Sequence, residues 1–104
     1  MTARAKNGRT TPPDDVYVLR LYVAGTSERS ARAVRNAKQI CEEHLAGRYE
    51  LEVIDVFQQV GRARDDQVIA IPTLIKKLPA PLKRFIGDLS DRDVVVVGLD
   101  VKRK

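Results

Sequence analysis

Tryptophan is absent from this 104-residue chain, and cysteine, histidine and methionine occur once each. The single cysteine, Cys41, cannot close an internal disulfide, so nothing points to an oxidising compartment and the cytoplasm is the expected location. One histidine, His44, falls short of a zinc site, which needs three or four ligands at set spacing. No apolar run approaches the ~18–20 residues of a membrane span. The first 15 residues also lack the apolar stretch of a signal peptide. Gly25 and Gly47 stand alone, as a turn and a helix stop, and no glycine-rich phosphate loop exists. No metal or cofactor is therefore expected. Covalent or acid–base catalysis needs a nucleophile, a base and an orienting group within reach. Cys41 and His44 are the sole candidates. Cys41 fits a buried helix stripe, whereas a reactive thiol needs an electropositive, accessible setting. An oxidoreductase or transferase acting through Cys41 is the alternative reading, and no catalytic residue is assigned.

What is present suits one soluble α/β domain: 43% hydrophobic and 32% charged residues over 11.7 kDa. The formal charge of +5 comes largely from the ends. Arg4, Lys6 and Arg9 face Asp14 and Asp15 in residues 1–15, and Lys102-Arg103-Lys104 adds three cations, leaving 13 basic against 12 acidic residues in 16–101. A nearly neutral centre does not make a nucleic-acid footprint. Residues 1–15, with Pro12-Pro13, read as a flexible leader, 16–101 as the domain and 102–104 as a basic tail.

Val16–Val23 (VYVLRLYV) has the length and β-branched content of a buried strand. Ser27 can cap a helix with Glu28 in its first turn, and Val34, Ala37, Cys41 and Leu45 form an apolar stripe towards Gly47. Tyr49–Phe57 reads as a second strand, completing a βαβ unit with parallel pairing. Beyond it the pattern weakens. Gly61–Asp66 suits a short helical turn, and Asp65-Asp66 and Asp91-x-Asp93 suit acids at helix N-termini. Val68–Ile75 reads as a strand interrupted by Pro72, and Pro81–Ile86 fits either a strand or a proline-opened helix.

The last segment contradicts itself. Ser90-x-x-Asp93 and Lys102–Lys104 are the start and end signals of a helix, yet Val94–Val97 are four β-branched residues in succession. Gly98 costs a helix a further ~1 kcal/mol relative to Ala, so replacing it with Ala is expected to favour the helix. The cap and the terminal charge tip the balance towards the helix.

Among charged residues, Arg29, Arg32 and Arg35 recur at i, i+3 and i+6 on the first helix, and Lys76-Lys77 and Lys83-Arg84 form basic pairs. An ordinary solvated face accounts for all of them on composition alone.

Strand, helix, strand and then Ile71-Pro72-Thr73-Leu74 resembles the thioredoxin-like fold, with Ala24-Gly25-Thr26-Ser27 where thioredoxins carry their dithiol. Five strings are similar, in order and spacing, to the KaiB family of clock proteins: Leu21–Gly25, Val53–Val56, Ile71–Leu74, Ile86–Ser90 and Gly98–Asp100. The resemblance implies a non-enzymatic regulator that binds the N-terminal ATPase ring of a KaiC-type protein, with KaiA or a histidine kinase as further partners. It assigns partner binding to Arg32 and Arg84, with Arg29 and Arg35 beside them. It also implies two folds, a thioredoxin-like monomer and a homo-tetramer with a rearranged C-terminal half, with Pro72, Ser90, Gly98 and Asp100 in the switching part. Glu52 and Gln67 depart from the family, standing where relatives often carry lysines.

Overall fold

The computed structural model describes residues 16–101; the leader and the basic tail read from the sequence lie outside them. The elements are β1 (Tyr17–Val23), α1 (Glu28–His44), β2 (Tyr49–Asp55), α2 (Val60–Asp65), β3 (Thr73–Leu78), β4 (Lys83–Ile86) and α3 (Arg92–Leu99). They build one four-stranded sheet in the order β2-β1-β3-β4. β1 and β2 run parallel with Leu21 beside Val53, while β3 is antiparallel to β1 and to β4. The expected α/β architecture, βαβ followed by αββα, is present.

Strand alternation decides which residues enter which core. Tyr17, Leu19, Leu21 and Val23 project from β1 to one face, where α1 and α3 cover them together with Leu74. Tyr22 projects to the other face, where Ile54 and Ile75 join it under Val56, Ala63 and Val68. α1 begins as its sequence dictates: the Ser27 side chain accepts from Ser30 N at 3.2 Å, a cap worth about 1 kcal/mol. Its buried stripe is Ser30, Ala33, Ala37, Ile40 and Cys41; Leu45, the C-cap, is buried beyond it and Val34 only partly so.

The C-terminal half corrects several expectations. The third strand is Thr73–Leu78, not Val68–Ile75, because Pro72 precedes the ladder instead of interrupting it. Ile71-Pro72 is a cis peptide. Residues 83–86 are strand, and 92–99 are helix despite their valines. The cap of α3 is Asp91, whose side chain accepts from Val94 N at 3.5 Å, so Ser90 does not fill that position. Asp66 caps the C-terminal end of α2, with Asp65 as its last residue, so neither is a helix N-terminal acid.

Tertiary contacts override the valine propensity in α3. Val95 and Leu99 are buried against the main core, Tyr17 OH donates to Asp100 O at 2.8 Å, and Arg92 pairs with Glu43 of α1 at 3.1 Å. Gly98 lies so close to the Phe85 ring that a β-carbon there would overlap Phe85 Cε1 and Cζ. Packing therefore opposes the expectation that Ala would improve this position: the side chain that aids the helix requires the Phe85 ring to shift.

Candidate functional site

The N-terminal half of α1, β4 and the 87–91 connection enclose a groove of about 370 Å³. Arg29 and Arg84 line it with Phe85, Ile86 and Val94. Arg29 reaches it because Ser27 starts α1 immediately before it, and its guanidinium lies beside Gly87. Gly87 holds a positive φ of 114° and donates its N–H to Pro72 O at 2.9 Å, joining the floor of the groove to the cis-proline turn.

The arginines named from the sequence differ in their bonds. Arg32 is engaged: its Nε meets Asp88 Oδ2 at 3.0 Å and its Nη1 meets Glu28 at 3.4 Å. Asn36 donates to Asp88 O at 2.8 Å, so α1 grips the 87–91 connection at two points. The Arg32 hydrogen bond, helped by Ser90, holds the Asp88 carboxyl below its usual range. Arg84 donates to two carbonyls, Asp66 O at 2.7 Å and Gln67 O at 3.4 Å, and no carboxylate among the described residues lies within salt-bridge distance of it. Arg29 has no carboxylate within salt-bridge distance among the described residues. Arg35 is exposed on α1 and does not line the groove. The structure thus places Arg29 and Arg32 on the α1 side of the sheet, whereas Arg84, paired with Ile75, turns its side chain to the opposite side and meets the groove at the β4 edge.

The four residues assigned to switching are dispersed. Pro72 is buried just before β3, and Ser90 is exposed with its N–H on Asp88 Oδ1 at 3.1 Å. Gly98 packs on Phe85, and Asp100 ends α3 with a left-handed φ of 54°.

Asp66 is the residue that sequence reasoning missed. On the sheet face opposite α1, its carboxylate receives Arg20 Nη1 at 3.0 Å, Lys77 Nζ at 2.7 Å and a short hydrogen bond from Tyr22 OH. Burial opposes its charge, but the bonds from Lys77, Tyr22 and Arg20 prevail and hold the carboxyl well below the ordinary range. Burial, with Asp66 beside it, pushes the Tyr22 hydroxyl up to about 12. The signal was Arg20 in the middle of an apolar strand, since a half-buried arginine needs a carboxylate across the sheet. Glu52 is likewise paired across elements: Arg62 of α2 donates Nη1 to its Oε2 at 2.5 Å and Nη2 to its Oε1 at 2.8 Å.

Cys41 is buried on α1 and its thiol is pushed up to about 12, chiefly by burial and then by Glu42, so no thiolate forms at neutral pH. His44 is exposed at the far end of α1. Among the described residues, no three His, Cys, Asp or Glu side chains gather to hold a metal ion, and no helix is long and apolar enough to cross a membrane.

Comparison with known proteins narrows the reading. The KaiB domain family model matches residues 20–101. The chain is 49% identical over 84 residues to the circadian clock protein KaiB3 of Synechocystis, covering 81% of this chain and 82% of that one. It is 51% identical over 85 residues to the circadian clock oscillator protein KaiB of Microcystis aeruginosa, covering 82% of each. Among solved structures, the N-terminal domain of SasA from Synechococcus elongatus superposes with a TM-score of 0.68 at 23% identity, over 85% of each chain. Chloroplastic thioredoxin z reaches 0.67 at 19% identity, over 83% of this chain and 78% of that one. These structural likenesses establish a thioredoxin-like fold.

Proposed function

The chain belongs to the KaiB family, and from this premise we propose that it is a non-enzymatic clock regulator docking on the N-terminal ATPase ring of a KaiC-type protein. In this reading the thioredoxin-like state of residues 16–101 presents Arg29, Arg32 and Arg84, with Arg35 beside them, and modulates the phosphorylation cycle of that ATPase in the cytoplasm. The observation that carries it is the 49–51% identity to named clock proteins over more than four-fifths of the chain. The charges of Arg29 and Arg84 support it, because a cation without a carboxylate is available to a partner's acid. Arg32 contributes by holding the 87–91 connection through Asp88.

The proposal extends to KaiA or a histidine kinase as further clock partners, and to a second, tetrameric state. In that state residues 81–86 are helical and the final segment is a strand, with Pro72, Ser90, Gly98 and Asp100 in the rearranged part. The β-branched run of Val94–Val97 supports a strand alternative. An oxidoreductase reading through Cys41 has no support, since its thiol is buried and protonated.

Size-exclusion chromatography with a KaiC-type ATPase tests the central claim. Co-elution is expected, and Arg84→Glu should weaken binding by about 1–3 kcal/mol by placing repulsion where attraction stood. Failure to co-elute at low salt would reject docking on this ring. Unchanged affinity for both Arg84→Glu and Arg29→Glu would remove this face from the interface.

A further inference from the structure

Among the described residues β4 is an edge strand of four residues, paired to β3 on one side only. Its unpaired groups can be identified. Gly87 N donates to Pro72 O, so the main chain at 87 turns towards β3. Main-chain groups alternate sides in an antiparallel pair, so Phe85 and Lys83 also turn inwards, and the N–H and C=O of Arg84 and Ile86 face outwards.

Two cavities flank this edge, one on each face of the sheet. The groove of about 370 Å³ lies on the Phe85 side, with Arg29 and Val94. A second, mostly apolar cavity of about 400 Å³ lies on the opposite side, between Val68, Ile69 and Ile86. Arg84 and Ile86 border both. Ile69 is 90% exposed and Ile86 65%, and together they line this cavity with no described residue covering them. Side chains of a strand laid along β4 would point alternately into the two cavities.

Charge decides what such a strand must carry. Arg20, Arg32, Arg62, Lys77 and Arg92 each meet a carboxylate, whereas among the described residues none lies within salt-bridge distance of Arg29, Arg84 or Lys83 at the edge, nor of Arg35, Lys38 and Arg64 elsewhere. Building on the docking face described above, we propose that the partner contributes an extended segment that adds a strand to β4. In this segment an acidic side chain, directed at Arg29, alternates with an aliphatic one seated between Ile69 and Ile86. Main-chain bonds to Arg84 and Ile86 supply the affinity, and the two cavities supply the selection. The shortness of β4 limits indiscriminate pairing with other edges.

Amide exchange on the isotope-labelled full chain, alone and with the N-terminal ring of a KaiC-type ATPase, tests this pairing. In the free protein the Arg84 and Ile86 amides should exchange quickly, and Lys83 and Phe85 slowly. In the complex Arg84 and Ile86 should slow by at least about tenfold while Lys83 and Phe85 change little. Ile69→Asp, at an exposed position outside both cores, should leave folding intact and weaken binding by about tenfold; unchanged affinity would overturn the aliphatic position. If the ring binds and Arg84→Glu weakens it, yet the Arg84 and Ile86 amides stay fast, strand addition is wrong and the docking face stands. If the ring does not bind, both readings fall. Protection of those amides in the free chain, with a concentration-dependent mass, would assign the edge to a second copy and overturn the proposal.

Discussion

The two halves of this molecule reach their structures by different routes. In β1-α1-β2, local signals and tertiary outcome agree: the cap at Ser27, the stripe from Ser30 to Cys41 and the strand alternation all point to the observed elements. From Pro72 to Leu99 they conflict, and contacts between distant residues decide. Asp66 draws α2 onto β1 and β3, Phe85 packs on Gly98, and Tyr17 holds the end of α3. A segment whose local preferences are divided is one whose conformation its surroundings can set.

The strongest test of this contrast is Asp66→Ala. It leaves Arg20 and Lys77 facing each other without a carboxylate, and urea denaturation should register a loss of about 3–5 kcal/mol. A loss below 1 kcal/mol would mean that the network does not hold the second half. Acid offers an independent reading. Because the folded carboxyl is held below its unfolded value, its contribution is complete above pH ~4 and declines as the pH falls further. Asp66→Asn should therefore lose less stability than the native chain between about pH 4 and pH 2.

Gly98→Ala comes next. Propensity predicts a gain of about 1 kcal/mol, whereas collision with Phe85 predicts a net loss of about 1–3 kcal/mol. In a Phe85→Leu background the same change should cost much less or stabilise, so a double-mutant cycle separates the terms. If Gly98→Ala alone raises stability, local propensity governs α3 after all.

Ser27→Ala tests the other half, where a purely local change should remove about 1 kcal/mol without altering the C-terminal elements. Chemical-shift changes reaching α3 would show that the two halves are coupled through this cap. The smallest expected effect is that of Arg92→Ala. Its bond to Glu43 is largely exposed, so thermal unfolding should detect only ~0.2–1 kcal/mol. A larger loss would show that this single pair anchors α3 to α1.

Legibility followed the same division. Arg29 and Arg84 could be singled out as cations, but their sequence separation conceals that they share a groove while Arg35 does not. Asp66 was hidden because Asp65-Asp66 fits an ordinary helix-end pattern, and only the fold brings Arg20, Tyr22 and Lys77 to it. Ile69 and Ile86 look like strand residues on paper, yet both are exposed beside the open edge.

By itself the sequence determined the βαβ unit, the start of α1, the lack of a reactive thiol at 24–27 and the family, since these depend on neighbouring residues and on matched strings. Tertiary structure alone decided that β3 begins at Thr73, that Val94–Val97 wind into a helix and that Gly98 packs directly on the Phe85 ring. The physical reason is one of scale. Propensities and caps amount to about 1 kcal/mol each and oppose one another from Ser90 to Val101. Burial of Val95 and Leu99, at roughly 1.5–3 kcal/mol per side chain, exceeds either set and depends on residues far away in the chain.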